Sequence, residues 1–183
     1  ITNLPMTIPY DGDLELRGEC VISWENFKEI NNKLPEPYSH PRNLAAGSIR
    51  NLDTNITKDR KLSYVVFECV TDINDVDGLC NSKHLELKWL EQIGFEVVRC
   101  HIGDVNDCVA TMLPELYKYP CDGLVFELDD ILYSKSLPAT SHHEGCRMAL
   151  KWKDTVYETI LRDVEWTPTR TRIISPVAIF DDI

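Results

Sequence analysis

One stretch of the sequence could bind a sugar. Leu14–Glu19 alternates apolar with charged residues, so a strand here would place Leu14 and Leu16 on one face and Glu19 on the other. A carboxylate at the end of such a strand, beside Gly18, could accept hydrogen bonds from sugar hydroxyl groups. The alternative is an exposed strand end that carries an ordinary surface carboxylate.

A second stretch, His40–Arg50, combines small residues with two arginines and could bind phosphate. The small residues at positions 45–48 would let a helix lie close to another backbone or to a ligand. Arg42 and Arg50 are eight positions apart, about two helical turns or roughly 12 Å, so their guanidinium groups would lie near one face. Such a pair suits bidentate contacts with phosphate oxygens, and a packing helix with two surface arginines is the alternative.

Two further stretches could form the floor of a cleft. Asp122–Glu127 and Met148–Lys153 both have the pattern of short strands that end or alternate in charged groups. Lys151 and Lys153 would share one face of the second strand. An amine on the floor of a cleft could neutralise a phosphate during phosphoryl transfer, whereas an amphipathic edge strand with protective lysines is the alternative.

The elements that must position these residues follow from hydrophobic periodicity and turn residues. Strands are predicted at 14–22, 62–70, 95–100, 123–128, 147–152, 156–166 and 173–180. Helices are predicted after a cap at Ser23, after Pro41, at 85–93, and from a cap at Asp104 to position 116. Because strands outnumber helices and helices separate some of them, we expect an α+β fold with mostly antiparallel sheets.

The composition is that of a globular protein and argues against a uniformly basic nucleic-acid binder. The 183 residues carry a net charge of −11, whereas contacts with phosphates need Lys and Arg. The charge is unevenly distributed, because positions 67–130 hold 14 acidic and 4 basic residues, while 41–62 and 147–172 are net basic. This distribution allows a basic face on an acidic body, with scattered surface charge as the alternative.

The cysteines and apolar runs indicate the class of protein. Seven cysteines occur at irregular spacings without a Cys-x-x-Cys motif, which disfavours disulfides or a zinc site and favours reduced thiols in the cytoplasm. No apolar run reaches the roughly 18–20 residues of a membrane helix, and the N-terminus, which starts at Ile1, lacks the pattern of a secretory signal. We expect a cytoplasmic chain cut from a longer polypeptide, without contact to a membrane.

Taken together and in this order, these stretches resemble the adenylation domain of bacterial NAD-dependent DNA ligases. The longest match is His40–Arg50, which resembles the family signature Asn-Pro-Arg-Asn-x-Ala-Ala-Gly-Ser-x-Arg, with His40 in place of Asn. Other stretches resemble the family's Arg-Gly-Glu strand, its Asp-Gly-x-Val strand, its late lysine strand and the opening of its OB-fold domain. In that order these stretches are Leu14–Glu19, Asp122–Val125, Ala149–Lys151 and Arg170–Phe180.

The resemblance implies both a fold and an activity. It implies an α+β nucleotidyltransferase (adenylation) fold of mainly antiparallel sheets flanked by helices at 1–154, followed by the first strands of an OB-fold β-barrel at 155–183. In that family a lysine takes AMP from NAD, the AMP passes to the 5′-phosphate of a DNA nick, and the 3′-hydroxyl displaces it. Mg²⁺ offsets phosphate charge throughout. We therefore expect a monomer that uses NAD and Mg²⁺ and acts on nicked double-stranded DNA in replication and repair.

The resemblance also implies roles for individual residues. Glu19 would hold the AMP ribose, and Phe67 would stack on adenine, with core packing as the alternative for Phe67. Asp122, near the nucleophile, and Lys151, near the AMP phosphate, are the expected catalytic residues. The residues expected to bind the cofactor are Glu19, Phe67, Arg42, Gly123 and Lys151. Contacts with nucleic acid are expected from Arg50, Arg60, Arg170 and Arg172, and no residue is predicted to ligate a metal.

One departure from the family pattern concerns the nucleophile. The family's Lys-x-Asp-Gly motif does not occur in the sequence, because the Asp-Gly pairs at 11, 77 and 122 follow Pro9, Asp75 and Pro120 at the lysine position. We therefore expect the chain by itself not to form a lysyl-adenylate.

A second departure lies inside the chain, where Glu127 stands at a position that is usually lysine in the family. An anion beside a phosphate site would weaken binding unless another cation compensates, and Lys135 and Lys153 are the candidates. The family's Pro-Arg-Trp is also replaced, by residues 144–146. We expect a divergent ligase; the alternative, favoured by Glu127, is a degenerate module that binds DNA or a partner without catalysis. An RNA ligase or capping-type enzyme would lack the His40–Arg50 signature.

Overall fold

The chain forms two compact units. The computed structural model describes residues 1–73, 76, 78–112, 117–139, 145–152 and 156–182. Unit 1 is Ile1–Lys151 and unit 2 is Trp152–Ile183. The division after Lys151 lies close to the domain boundary expected after position 154, although the identity of each domain stays a prediction.

Within the described residues, the strands form antiparallel pairs, and in unit 1 helices lie between the two strands of each pair along the chain. Unit 1 contains β1 (Leu16–Val21), α1 (Trp24–Asn31), α2 (Pro41–Ile49), α3 (Thr54–Asp59), β2 (Ser63–Cys69), α4 (Lys83–Gln92), α5 (Val105–Thr111), β3 (Gly123–Glu127), α6 (Ile131–Ser136) and β4 (Arg147–Lys151). Unit 2 contains β5 (Leu161–Pro168) and β6 (Ile174–Phe180). The pairs are β1–β2, β3–β4 and β5–β6, all antiparallel, so the expected α+β pattern with antiparallel sheets is confirmed.

A bulge in the β1–β2 pair determines the position of Phe67 in its strand. Arg17 pairs with Glu68 and Gly18 pairs with Val66, so Phe67 has no residue directly opposite. An extra residue of this kind bends its strand and re-aims the side chains around it. Gly18 allows the close approach, because a Cβ atom there would lie 2.5 Å from the backbone oxygen of Val65.

Two apolar clusters fix the helices against β1 and β2. Val66 on β2 and Leu90 on α4 are both fully buried in one cluster. Leu44 on α2 is buried in the other cluster with Ile22 and Leu62, which follow β1 and precede β2. Burying one such side chain stabilises the fold by about 1.5–3 kcal/mol. The second cluster therefore holds α2, and with it Arg42, against the end of β1.

The first turn of α2 explains the unusual residue in the signature. Pro41 is the first helical residue, and the Nδ1 atom of His40 accepts a hydrogen bond from the backbone N–H of Arg42 at 3.1 Å. A side-chain acceptor at this position satisfies a helix N–H group that has no partner within the helix. His40 thus does the capping that the family's Asn could do, and the start of α2 after Pro41 is confirmed.

Some predicted elements differ in the structure. The segment at 95–100 is not a strand, because it makes a single parallel bridge between Val97 and Val66. The bulge after Val66 interrupts the edge of β2, so a longer ladder has no partner there. The short helices α3 and α6 were not predicted. The strand expected at 156–166 begins only at Leu161, and the end of the helix predicted up to 116 falls partly outside the described residues.

Candidate functional site

Three of the expected site residues meet at one carboxylate. The Oδ2 atom of Asp122 lies 3.6 Å from an Nη atom of Arg42 and 3.5 Å from the Nζ atom of Lys151. All three side chains are more than half exposed, so the cluster is open to solvent. Partial burial opposes ionisation of Asp122, but the charges of Lys151 and Arg42 outweigh it and lower the pKa of the carboxyl group below its usual value.

Gly123 brings this cluster together through the backbone. Gly123 is the cross-strand partner of Lys151, and a Cβ atom at this glycine would lie 2.4 Å from the carbonyl oxygen of Leu150. Only a residue without a side chain allows β3 and β4 to approach this closely. Its observed contact is with the neighbouring strand, and Asp122, one residue earlier, is thereby placed beside Lys151.

One face of the β3–β4 pair carries the charged groups. Residues opposite one another in an antiparallel pair project from the same face, and successive residues alternate. Gly123, Val125 and Glu127 therefore share a face with their partners Lys151, Ala149 and Arg147. Val125, in the middle of this face, is 66% exposed, so no other part of the described chain covers it.

The outward face of the β1–β2 pair carries the other two expected site residues. Glu19 lies opposite Val65, and both Glu19 and Phe67 point away from the buried side chain of Val66. Phe67 is 42% exposed, so core packing, the alternative role, does not account for its ring. Among the described residues, the carboxylate of Glu19 has no ion-pair or hydrogen-bond partner, which leaves its oxygens available to accept hydrogen bonds.

A chain of four charged side chains joins these two faces; we call it the four-strand network. It consists of Arg17 on β1, Glu68 on β2, Arg147 on β4 and Glu127 on β3. One Nη atom of Arg147 lies 2.6 Å from Glu68 and 3.0 Å from Glu127, and Arg17 lies 3.0 Å from Glu68. Each strand of the two sheets in unit 1 thus contributes one member, and the charges alternate in sign.

The network perturbs the ionisation of its members. Partial burial opposes ionisation of Glu68, but hydrogen bonds and charge from Arg147 and Arg17 lower the pKa of its carboxyl group overall. Burial likewise opposes the charge of Arg147, and the two carboxylates outweigh it and raise the pKa of the guanidinium group. The network thus pairs two guanidinium groups with two carboxylates.

The two sheets of unit 1 are therefore connected at two places. Arg147 bridges them through Glu68, and α2, packed against the end of β1, reaches Asp122 through Arg42. Within the described residues no direct contact joins either Glu19 or Phe67 to Lys151.

The other expected site residues lie outside this cluster. Arg50 caps the C-terminus of α2 and is exposed. Arg60 donates to the buried hydroxyl of Ser48 at 3.1 Å and lies over the ring of Tyr38, so much of its guanidinium group is engaged within unit 1. Arg170 and Arg172 lie in the exposed turn between β5 and β6 of unit 2.

Of the two lysines expected to compensate the charge of Glu127, Lys135 does not contact it in the described part of the chain. Lys135 forms an ion pair with Asp72 instead, because α6 directs it there, and Lys153 lies outside the described residues. The cation beside Glu127 is Arg147, its cross-strand partner. The sequence does place opposite charges, Glu127 and Arg147, at the end of one predicted strand and at the start of the next.

A separate cavity of about 560 Å³ adjoins the four-strand network. Glu68, Glu127 and Arg147 form part of its wall, whereas Glu19, Phe67, Asp122 and Lys151 do not.

Other features concern the cysteines, metal sites and membranes. All seven cysteines are free thiols. Within the described ranges, no group of three or more His, Cys, Asp or Glu side chains is placed to hold a metal ion. No helix in the described part of the chain combines the length and the apolar character that crossing a membrane requires.

Comparison with known proteins assigns the chain to a family. The sequence model of the NAD-dependent DNA ligase adenylation domain matches residues 1–155. A DNA ligase of Lachnoclostridium phytofermentans is 37% identical over 99% of this chain and 29% of its own length. DNA ligases of Ruminiclostridium cellulolyticum and Lactobacillus acidophilus are 36% and 31% identical, and this chain covers 28% of each. The chain spans less than a third of the length of these relatives, and it belongs to the NAD-dependent DNA ligase adenylation domain family.

Proposed function

We propose that the chain is the AMP-holding part of an NAD-dependent DNA ligase, with a nucleotidyltransferase fold. The observation that carries the proposal is the meeting of Arg42 and Lys151 at Asp122. We propose that this cluster and the face of the β1–β2 pair that carries Glu19 and Phe67 flank one cleft. These are two cations, a carboxylate without a partner and an exposed aromatic ring, which are the groups that a phosphate, a ribose and a base require.

Each part of AMP has a matching group on the walls of the cleft. The exposed ring of Phe67 suits stacking on adenine, a contact worth about 1–3 kcal/mol. The carboxylate of Glu19 can accept hydrogen bonds from the ribose hydroxyls. Lys151 and Arg42 can turn from Asp122 to the phosphate, because both ion pairs are long and solvent-exposed and are therefore weak.

The chemistry of the family adds what these residues do not supply. NAD provides the AMP, and Mg²⁺ would offset phosphate charge during transfer. Within this chain, Lys151 and Arg42 stabilise negative charge on the phosphate, and Asp122 orients their cationic groups while the phosphate is absent. Because the sequence lacks a Lys-x-Asp-Gly motif, we expect the 183-residue chain to bind AMP without becoming adenylated.

Calorimetric titration of the 183-residue chain with AMP tests the binding role. We expect weak binding that Glu19→Ala abolishes, because the ribose hydroxyl groups lose their acceptor. Glu165→Ala is the matched control, since Glu165 is an exposed carboxylate on β5 of unit 2, and it should leave the affinity unchanged. Equal affinities for the Glu19→Ala variant and the unaltered chain would contradict the proposed role.

A chimera separates the ligase from the degenerate module. A segment that carries the family's Lys-x-Asp-Gly lysine is joined to the N-terminus of the chain, and the product is incubated with NAD and Mg²⁺. Intact-mass measurement should show the addition of one AMP, and Lys151→Ala should greatly reduce it. A folded chimera that binds AMP but gains no mass would favour the degenerate module.

The remaining parts of the proposal concern DNA and unit 2. We propose that the β5–β6 hairpin opens an OB-fold domain and that Arg170 and Arg172 at its exposed turn contact the phosphates of nicked DNA, together with Arg50 of unit 1. Arg60 is the weakest member of this set, because Ser48 and Tyr38 already engage it. A role in replication and repair, a cytoplasmic location and a monomeric state stay predictions.

A further inference from the structure

The four-strand network places an anion on the wall of the proposed nucleotide cleft. Glu127 projects from the same face of the β3–β4 pair as Lys151. The two residues lie four strand positions apart, roughly 13 Å, a distance that is comparable with the length of a nucleotide. In the proposed binding mode the base stacks on Phe67, next to Glu68 of the network, so a nucleotide whose phosphate lies at Lys151 would extend towards Glu127. A free carboxylate there would repel the phosphate.

Arg147 removes this repulsion in the structure. A single Nη atom of Arg147 contacts both Glu127 and Glu68, and the Arg147 side chain is only 26% exposed. Arginine can hold two carboxylates at once, because its planar guanidinium group has five N–H donors in fixed directions. Lys135, the alternative cation, is occupied by Asp72.

We propose that Arg147 is a positioning residue that neutralises Glu127 and Glu68, so that the cleft accepts an anionic nucleotide although its wall carries a carboxylate at position 127. The inference deepens the proposed function and rests on it. Arg147 acts through the two carboxylates: it holds them against the junction of the two sheets and lowers the negative potential in the cleft.

The test compares AMP with adenosine, which has the same base and sugar but no charge. Arg147→Ala should weaken AMP binding by about three- to tenfold. Glu68 keeps its ion pair with Arg17, but one net negative charge, that of Glu127, then acts on the phosphate over roughly 13 Å. Binding of uncharged adenosine should change less than twofold. Adding Glu127→Gln to Arg147→Ala should restore most of the lost AMP affinity. The AMP affinity of Arg147→Lys should lie between that of Arg147→Ala and that of the unaltered chain.

Arg162→Ala is the matched control. Arg162 also lies on a strand and forms an ion pair, with Asp181, but it belongs to unit 2. We expect its AMP and adenosine affinities to equal those of the unaltered chain. Circular dichroism shows whether each variant is folded.

Each outcome decides between the two proposals. If the unaltered chain binds neither ligand, the proposed function fails and this inference fails with it. If the unaltered chain binds AMP and Arg147→Ala binds it equally well, or loses AMP and adenosine to the same extent, only the role of Arg147 is overturned. Should Arg147→Ala not fold, Glu127→Gln alone still decides. This substitution leaves the charge of Arg147 in excess, so AMP affinity should rise by about three- to tenfold while adenosine affinity changes less than twofold, and an unchanged AMP affinity would overturn the inference.

Discussion

Replacing Gly123 by alanine tests whether backbone approach is what brings Asp122 and Lys151 together. A Cβ atom at this position would lie 2.4 Å from the carbonyl oxygen of Leu150, whereas ordinary contacts begin at 3.4 Å. The strands β3 and β4 would have to separate locally by about 1 Å. Because the obstacle is backbone and not a movable side-chain end, the added methyl group cannot be accommodated by a change of rotamer.

The expected cost of Gly123→Ala is that of overpacking, about 1–3 kcal/mol in the free energy of unfolding. For a unit of this size, that corresponds to a fall in melting temperature of roughly 2–12 °C. Thermal unfolding followed by circular dichroism measures the fall. The displacement should also separate Asp122 from Lys151, so AMP binding should weaken in the fraction that remains folded.

Gly103→Ala is the control for this substitution. A Cβ atom at Gly103 would meet only side chains, the nearest being the ring of His101 at 3.2 Å. Both substitutions stiffen the unfolded chain to the same extent, a stabilising effect of about 0.4–1 kcal/mol, so their difference isolates the clash. If Gly123→Ala and Gly103→Ala unfold at the same temperature, the argument from strand approach is refuted.

Two further predictions concern ionisation. Since the charges of Lys151 and Arg42 hold the pKa of Asp122 below its usual value, the stabilisation from this cluster is present above the unfolded-state pKa and is lost as the pH falls through the folded-state value. Carboxyl-carbon NMR titration should show the pKa of Asp122 rising in Lys151→Ala, and an unchanged titration curve would argue against the ion pair. Burial, followed by the nearby charge of Glu86, raises the pKa of the Cys69 thiol to about 11, so iodoacetamide at pH 8 should modify Cys69 far more slowly than exposed Cys80 or Cys121. Equal rates of modification by mass spectrometry would contradict the burial of Cys69.

The elements predicted correctly are those whose start and length can be recognised from nearby residues alone. The helix α2 begins where Pro41 and the cap at His40 indicate, and the strands around Val66 and Leu124 follow from their apolar residues. The helices α3 and α6 have six residues each, less than two turns, so no hydrophobic period can be recognised in them. Their N-caps, Asp53 and Asp130, are the local residues that indicate where these two helices begin.

The parts of the site that depend on pairing register were harder to predict. The resemblance to the ligase family implies that Asp122, Lys151 and Arg42 all serve the adenylate site, whereas the residue pattern alone leaves a phosphate-binding role and an ordinary surface role both open. Arg147 was missed because its importance depends on which residue of β3 lies opposite it. Once β3 and β4 are aligned from Gly123 opposite Lys151, the register places Arg147 opposite Glu127.

The local distribution of charge also bears on how an acidic chain could have the proposed phosphate-binding role. A net charge of −11 disfavours contacts with nucleic acid only if the cations and anions act as one average. In the structure some of the carboxylates are matched to nearby cations, as Glu68 and Glu127 are to Arg147. By contrast, Arg50, Arg170 and Arg172 have no carboxylate partner among the described residues, and all three are exposed. These arginines can therefore contact a phosphate without first breaking an ion pair. Whether the chain can bind phosphates thus depends on which cations are unpaired and exposed, more than on its total charge.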